Sequence, residues 1–138
     1  MANNKSKNYK VLIIEDDEPT LESAVIKFKK EGFEVDSAIN GRTGIEKARN
    51  SGPFSIILLD LRMPEGDGFE FLEELGKEPK FKNIPVFVFT NLDLREFKEK
   101  ALKLGAKGYM LKSNHDIGEI VREVKKCLLE GKCLVDSL

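Results

Sequence analysis

The chain has 138 residues with 34% charged and 41% hydrophobic side chains, an ordinary globular composition that fits one domain and excludes a disordered polypeptide. Twenty-three basic residues balance twenty-four acidic ones, for a net charge of -1, which argues against a non-specific nucleic-acid binder. Apolar runs such as Val11–Ile14 and Ile56–Leu59 are far too short to span a membrane, and MANNKSKNYK lacks the apolar stretch of a leader, so a cytoplasmic location is expected.

Strands and helices alternate along the chain. Val11–Ile14 is a β-branched run of the kind buried on both faces of a parallel sheet, and it stops at Glu15-Asp16-Asp17-Glu18. From Pro19, Leu21, Ala24, Val25 and Phe28 keep helical spacing up to Gly32. Phe33 to Ala38 reads as a shorter strand nearer the sheet edge. After the turn signal Asn40-Gly41, Ile45 and Ala48 mark a short helix ending near Gly52-Pro53.

Phe54 to Asp60 is a second buried strand, again ending in an acid. Met63-Pro64-Glu65-Gly66-Asp67-Gly68 is loop chemistry, with Asp67 placed to cap a helix through Phe69, Phe71, Leu72 and Leu75. Ile84 to Thr90 is a strand. Asp93 and Glu96 have capping-box spacing for a helix running to Gly105. Lys107 to Leu111 forms a fifth strand and Asp116 to Glu130 a last helix. Residues 1–8 read as a polar segment, 9–130 as the domain and 131–138 as a tail.

Five such alternations predict an α/β fold: a flavodoxin-like, doubly wound, five-stranded parallel sheet of order 2-1-3-4-5 with five helices. In that order the C-terminal ends of strands 1 and 3 meet at the switch point, where ligands bind. Those ends carry Glu15-Asp16 and Asp60; strand 4 ends in Thr90 and strand 5 is followed by Lys112. Clustered carboxylates repel each other unless one is protonated or a cation sits among them, and oxygen ligands of this kind suit Mg²⁺. A metal ion, an ammonium and a hydroxyl together would receive a small dianion such as phosphoryl. Asp60, the lone acid on its strand, is the best nucleophile for an aspartyl-phosphate.

Several features have plainer readings. Asp17 and Glu18 read as helix-terminal acids, and His115 as a residue of the loop before the last helix. Cys127 and Cys133 are too few for a disulfide framework and read as thiols without function.

The pieces VLIIED, LLDLRMP followed by DG, VFVFT and GAKGYMLK, in that order, resemble the response-regulator receiver domain of two-component signalling, over Tyr9 to Glu130. Asp60 follows Asp16 by 44 residues, Thr90 follows Asp60 by 30, and Lys112 follows Thr90 by 22, spacings usual in that family. The resemblance implies a single-domain receiver in which Asp60 takes phosphoryl from a sensor histidine kinase or histidine phosphotransfer protein. It implies Mg²⁺ held by Glu15, Asp16, Asp60 and the backbone carbonyl of Arg62. Lys112 and Thr90 would hold phosphoryl oxygens, and Tyr109 would be the aromatic switch that moves inward. The switched surface would be the face of helix 4, strand 5 and helix 5, used for a downstream protein target or a weak dimer, without direct nucleic-acid or membrane contact. The only chemistry implied is the domain's own phosphorylation and dephosphorylation.

The chain departs from the family at Ser113, where Pro usually follows the lysine, often through a cis peptide. It departs also at Asn91, where a smaller residue is usual. Arg62 and Leu92 stand where the family flanks the attacking water, and their bulk predicts a long phosphoryl lifetime. Three other classes fit less well. A pseudo-receiver, acting as a phosphorylation-independent binding module, has only Ser113 in its favour. A flavin carrier would need a phosphate cradle where EDDE stands. An aspartyl phosphatase would need an acid where Arg62 stands.

Overall fold

The computed structural model describes residues 9–63 and 67–138. Residues 1–8, and Pro64 to Gly66 of the loop read from the sequence, lie outside the described residues. Five parallel strands, β1 (Lys10–Ile14), β2 (Glu34–Ala38), β3 (Ile56–Leu59), β4 (Val86–Thr90) and β5 (Gly108–Leu111), lie in the order β2-β1-β3-β4-β5. They alternate with α1 (Glu18–Lys30), α2 (Gly41–Asn50), α3 (Gly68–Gly76), α4 (Arg95–Lys103) and α5 (Ile117–Glu130). This is the expected doubly wound fold.

Its core follows from the two-residue period of the strands. Leu12 and Ile14 face the layer that includes Ile45 of α2, Phe71, Leu72 and Leu75 of α3, and Ala101 of α4. Val11 and Ile13 face Ala24 and Phe28 of α1 and Ile120, Val121 and Val124 of α5. β1, β3 and β4 need apolar residues on both faces because both faces are covered, hence their unbroken runs. Truncating any of these large side chains to Ala would cost about 2–5 kcal/mol.

The helix starts follow local chemistry, with one exception. Asp17, Asn40, Asp67 and Asp116 each cap a helix by accepting a backbone N–H three residues on. Asp116 and Glu119 close a full capping box. The box expected at Asp93 does not form: the cap of α4 is Leu94, which has no side-chain acceptor. Leu92 is anchored through its carbonyl to the Tyr109 hydroxyl, 2.7 Å, and the helical turn begins two residues beyond that anchor. Asp93 is thereby left one position too early. The sequence reading also missed a single 3-10 turn at Pro79–Phe81.

One further expectation is corrected at the C-terminus. Cys127 and Cys133 are joined in a disulfide. Gly131, at φ 71°, caps α5 in the left-handed conformation and turns the chain back, bringing the two Cα atoms within 4.4 Å. The segment beyond, read from the sequence as a tail, runs along the sheet. Leu134 and Asp136 pair with Tyr109, at the outer edge of β5.

Candidate functional site

Ladder hydrogen bonds continued one residue past the strands place the acids. Glu15 N–H donates to Ala38 O and Asp60 N–H to Ile14 O, each at 3.0 Å, so both carboxylates emerge side by side where β1 and β3 end. Lys112 N–H donates to Thr90 O at 2.8 Å, carrying the lysine to the same edge from β5. Below Asp60, Gly68 lets α3 start hard against the strand end, since a Cβ there would sit 2.6 Å from Asp60 O and from Leu61 Cα.

The Lys112 ammonium joins the site together. Its Nζ lies 2.6 Å from Glu15 Oε1 and 3.1 Å from Asp60 Oδ2. The other Asp60 oxygen accepts the Arg62 backbone N–H at 3.2 Å. Glu15 is 4% and Asp60 6% exposed, whereas Asp16 is exposed. Burial, opposed by the Lys112 hydrogen bond and reinforced by the Asp60 charge, pushes the Glu15 carboxyl up from 4.5 to about 7. Burial alone would lower the Lys112 pKa, but its bonds to the two carboxylates raise it, so the ammonium stays charged.

Oxygens of Glu15, Asp16 and Asp60 all lie within 4.8 Å of one another. One lysine cannot neutralise three carboxylates, and hard oxygen donors at that spacing, open to water, fit Mg²⁺. The mouth is a cleft of about 340 Å³ lined by Glu15, Asp16, Asp17, Thr20, Asp60, Arg62, Asn91 and Lys112. Asp17 and Thr20 enter it through the α1 cap, where Thr20 N–H donates to Asp17 Oδ2 at 3.1 Å. Asp17, which the sequence marks only as a cap, and Thr20, which no sequence motif marks, thus join the lining.

Thr90 and Leu92 do not line the cleft. Thr90 is fully buried, its hydroxyl oxygen accepting the Leu92 N–H at 3.4 Å, and Leu92 packs against the core. The Tyr109 ring is also fully buried and already inward. Among the described residues only Gly52–Pro53 is cis. The Lys112–Ser113 peptide is therefore trans, and the lysine reaches both carboxylates all the same.

A parallel α/β sheet with an acid-and-lysine mouth at its switch point is the architecture of a signalling receiver, and the comparisons agree. The sequence model of the response regulator receiver domain matches residues 11–125, so the chain belongs to that family. It is 32% identical over 129 residues to the response regulator PleD of Caulobacter vibrioides, covering 94% of this chain and 28% of that protein. It is 31% identical over 126 residues to the transcriptional regulatory protein CusR of Escherichia coli, covering 91% of this chain and 54% of the relative. The chain thus spans between about a quarter and about half the length of these relatives.

The same fold recurs in solved structures. The receiver domain of the Francisella response regulator 1452 superposes with a TM-score of 0.79 at 29% identity, covering 91% of this chain and all of that one. The chemotaxis response regulator CheY4 of Vibrio cholerae gives 0.80 at 26% identity, covering 87% and 98%. Receiver domains are phosphorylated on an aspartate, bind Mg²⁺ at an acidic pocket and interact with histidine kinases or phosphotransfer proteins. Among the described residues no helix is long and apolar enough to cross a membrane.

Proposed function

We propose that Asp60 is the phosphoryl acceptor of a two-component phosphorelay. The observation that carries this reading is the Lys112 ammonium set between Glu15 and Asp60, with Asp16 close by at the cleft mouth. An Asp60 carboxylate oxygen attacks phosphorus, the N–P bond of the donor phosphohistidine breaks, and the imidazole nitrogen recovers a proton. Hydrolysis reverses the state: water attacks phosphorus, the acyl-phosphate P–O bond breaks, and the carboxylate and inorganic phosphate separate. The chain turns over no free metabolite in this scheme.

Glu15, Asp16, Asp60 and the Arg62 carbonyl would hold Mg²⁺, which when bound offsets negative charge gathering on the phosphoryl oxygens. Lys112 offers its ammonium to one phosphoryl oxygen while remaining tied to Glu15. Thr90, buried beneath the cleft, would have to turn toward it to offer its hydroxyl, and that movement would reach Tyr109 through Leu92, whose N–H the Thr90 oxygen accepts and whose carbonyl accepts the Tyr109 hydroxyl. The population of the α4–β5–α5 face shifts accordingly and sets binding to a downstream protein. We place this reaction in the cytoplasm, with no direct nucleic-acid or membrane contact by this domain, as a monomer or a weak dimer through the same face. Arg62 lines the cleft and Leu92 does not, so resistance to hydrolysis is assigned to Arg62. Arg62→Ser is expected to shorten the phosphoryl lifetime several-fold, read by loss of the phosphorylated mass with time.

The deciding measurement is intact mass after incubation with Mg²⁺ and acetyl phosphate. The expected result is a gain of one phosphoryl group that is absent in Asp60→Asn and absent when Mg²⁺ is chelated. A wild-type chain that gains nothing would favour the pseudo-receiver reading, a binding module that keeps the fold without the chemistry.

A further inference from the structure

The outer edge of β5 is already taken by another part of the chain. Tyr109 N–H donates to Leu134 O at 2.9 Å, and Asp136 N–H donates to Tyr109 O at 2.8 Å, a parallel pairing around Val135. The next outward amide, Leu111 N–H, donates to Asp136 Oδ2 at 2.8 Å. Asp136 also meets His115 Nε2 at 3.0 Å and accepts the Lys98 ammonium on its backbone carbonyl at 2.9 Å. Its carboxylate is 13% exposed, an unusual depth for an acid. Leu134 packs on the α1–α5 side of the sheet and Leu138 on the other. The Cys127–Cys133 bond ties the start of this segment to the last turn of α5.

We infer that residues 132–138 are a latched strand: the disulfide holds them on β5, and its reduction opens that edge to an extended segment of a partner protein. The partner segment is defined by what it replaces, an aliphatic residue followed two positions later by a carboxylate, pairing parallel to β5. In the cytoplasm a protein disulfide is typically reversible and redox-sensing rather than permanent. Cys133 is the half-buried sulfur partner and Cys127 the buried one, so the reductant, a dithiol, attacks Sγ of Cys133. Cys127 leaves as a thiolate and is protonated. The second thiolate of the reductant then displaces Cys133 and closes the reductant's own disulfide, so two electrons and two protons pass to the chain.

The latch does not rest on phosphoryl transfer to Asp60, and it is tested on the unphosphorylated chain of 138 residues by amide hydrogen exchange. Tyr109 and Leu111 N–H groups face the segment, while Lys112 N–H faces β4 and serves as the internal control. Reduction, or Cys133→Ser, is expected to speed exchange at Tyr109 and Leu111 on the order of tenfold, with Lys112 unchanged. Asp136→Ala in the reduced chain is expected to speed both further, Leu111 most. A peptide copying residues 132–138 with Cys133→Ser should then restore protection at both amides in that variant. It should leave the oxidised wild-type chain unaffected. Exchange at Tyr109 and Leu111 that ignores reduction, that moves only together with Lys112, or that the peptide fails to slow, overturns the inference.

Discussion

The two edges of the sheet are protected in opposite ways. At one, β2 carries Glu34, Asp36 and Ser37, and Lys47 of α2 lies over it, with Nζ 2.8 Å from Asp36 Oδ1 and 2.6 Å from Ser37 O. Burial alone would raise the Asp36 pKa, but the Lys47 and Ser37 hydrogen bonds outweigh it and hold the carboxyl below its usual value. Charged side chains of this kind deter edge-to-edge pairing. At the other edge β5 reads Gly108-Tyr109-Met110-Leu111, all buried and without a charge. An uncharged, apolar edge strand would be a pairing hazard, and here the chain's own segment after Gly131 covers it. Composition guards β2, whereas tertiary contact guards β5, so β5 should be the more sensitive edge to disturb.

The sharpest way to break that comparison is a matched pair of substitutions. A Cβ at Gly108 would sit 2.8 Å from the ring of Phe87, a fully buried residue of the neighbouring strand. Gly108→Val is therefore expected to destabilise by about 3 kcal/mol in chemical denaturation, against less than about 0.5 kcal/mol for Ser37→Val on the half-buried β2 edge. Equal losses would mean that the two edges are alike.

In alkali, comparing wild type with Tyr109→Phe isolates a group of β5. Burial, reinforced by the charges of Asp60 and Asp93, pushes the Tyr109 phenol up from 10.0 to about 12. The folded chain then binds this proton more tightly than the unfolded chain. The corresponding stabilisation is complete below pH 10 and is lost as the pH climbs through 12. Its full size is on the order of 3 kcal/mol, read as the difference in stability-versus-pH slope between wild type and Tyr109→Phe. At neutral pH that same variant leaves the Leu92 carbonyl without its 2.7 Å partner and should lose about 1 kcal/mol. The smallest effect belongs to the other edge. Lys47→Ala removes a partly exposed ion pair and should cost at most about 0.5 kcal/mol, diminishing with added salt.

The same division runs through what could be read in the sequence. The runs Val11–Ile14 and Ile56–Leu59 announce strands buried on both faces because apolar residues on every position have no other economical explanation in a globular chain. Caps at Asp17 and Asp67 were legible because each acts on an N–H three residues away, whereas Asn40 reads only as a turn residue and Asp116 only as the first residue of the last helix until the structure shows their caps. Asp93 misled for a non-local reason: Tyr109, sixteen residues on, fixes Leu92 and with it where α4 can begin. Glu15, Asp16, Asp60 and Lys112 could be assembled on paper because strand order alone decides which strand ends meet, and the structure brings those four together. Thr90 could be placed at the end of β4, but its withdrawal beneath the cleft depends on how the backbone turns at Asn91 and Leu92.

The sequence by itself determined the order of elements and the edge of the sheet on which the acids gather, since each rests on periodicity, capping or the fixed hand of parallel connections. Tertiary structure alone decided the hydrogen bonds that engage Lys112 with two carboxylates, the buried setting of Tyr109, and the pairing of Cys127 with Cys133. It also decided the return of Leu134 to Asp136 onto β5. These depend on where the chain comes back in space after a left-handed glycine or a trans Lys112–Ser113 peptide, and a linear pattern of polar and apolar residues does not encode that distance.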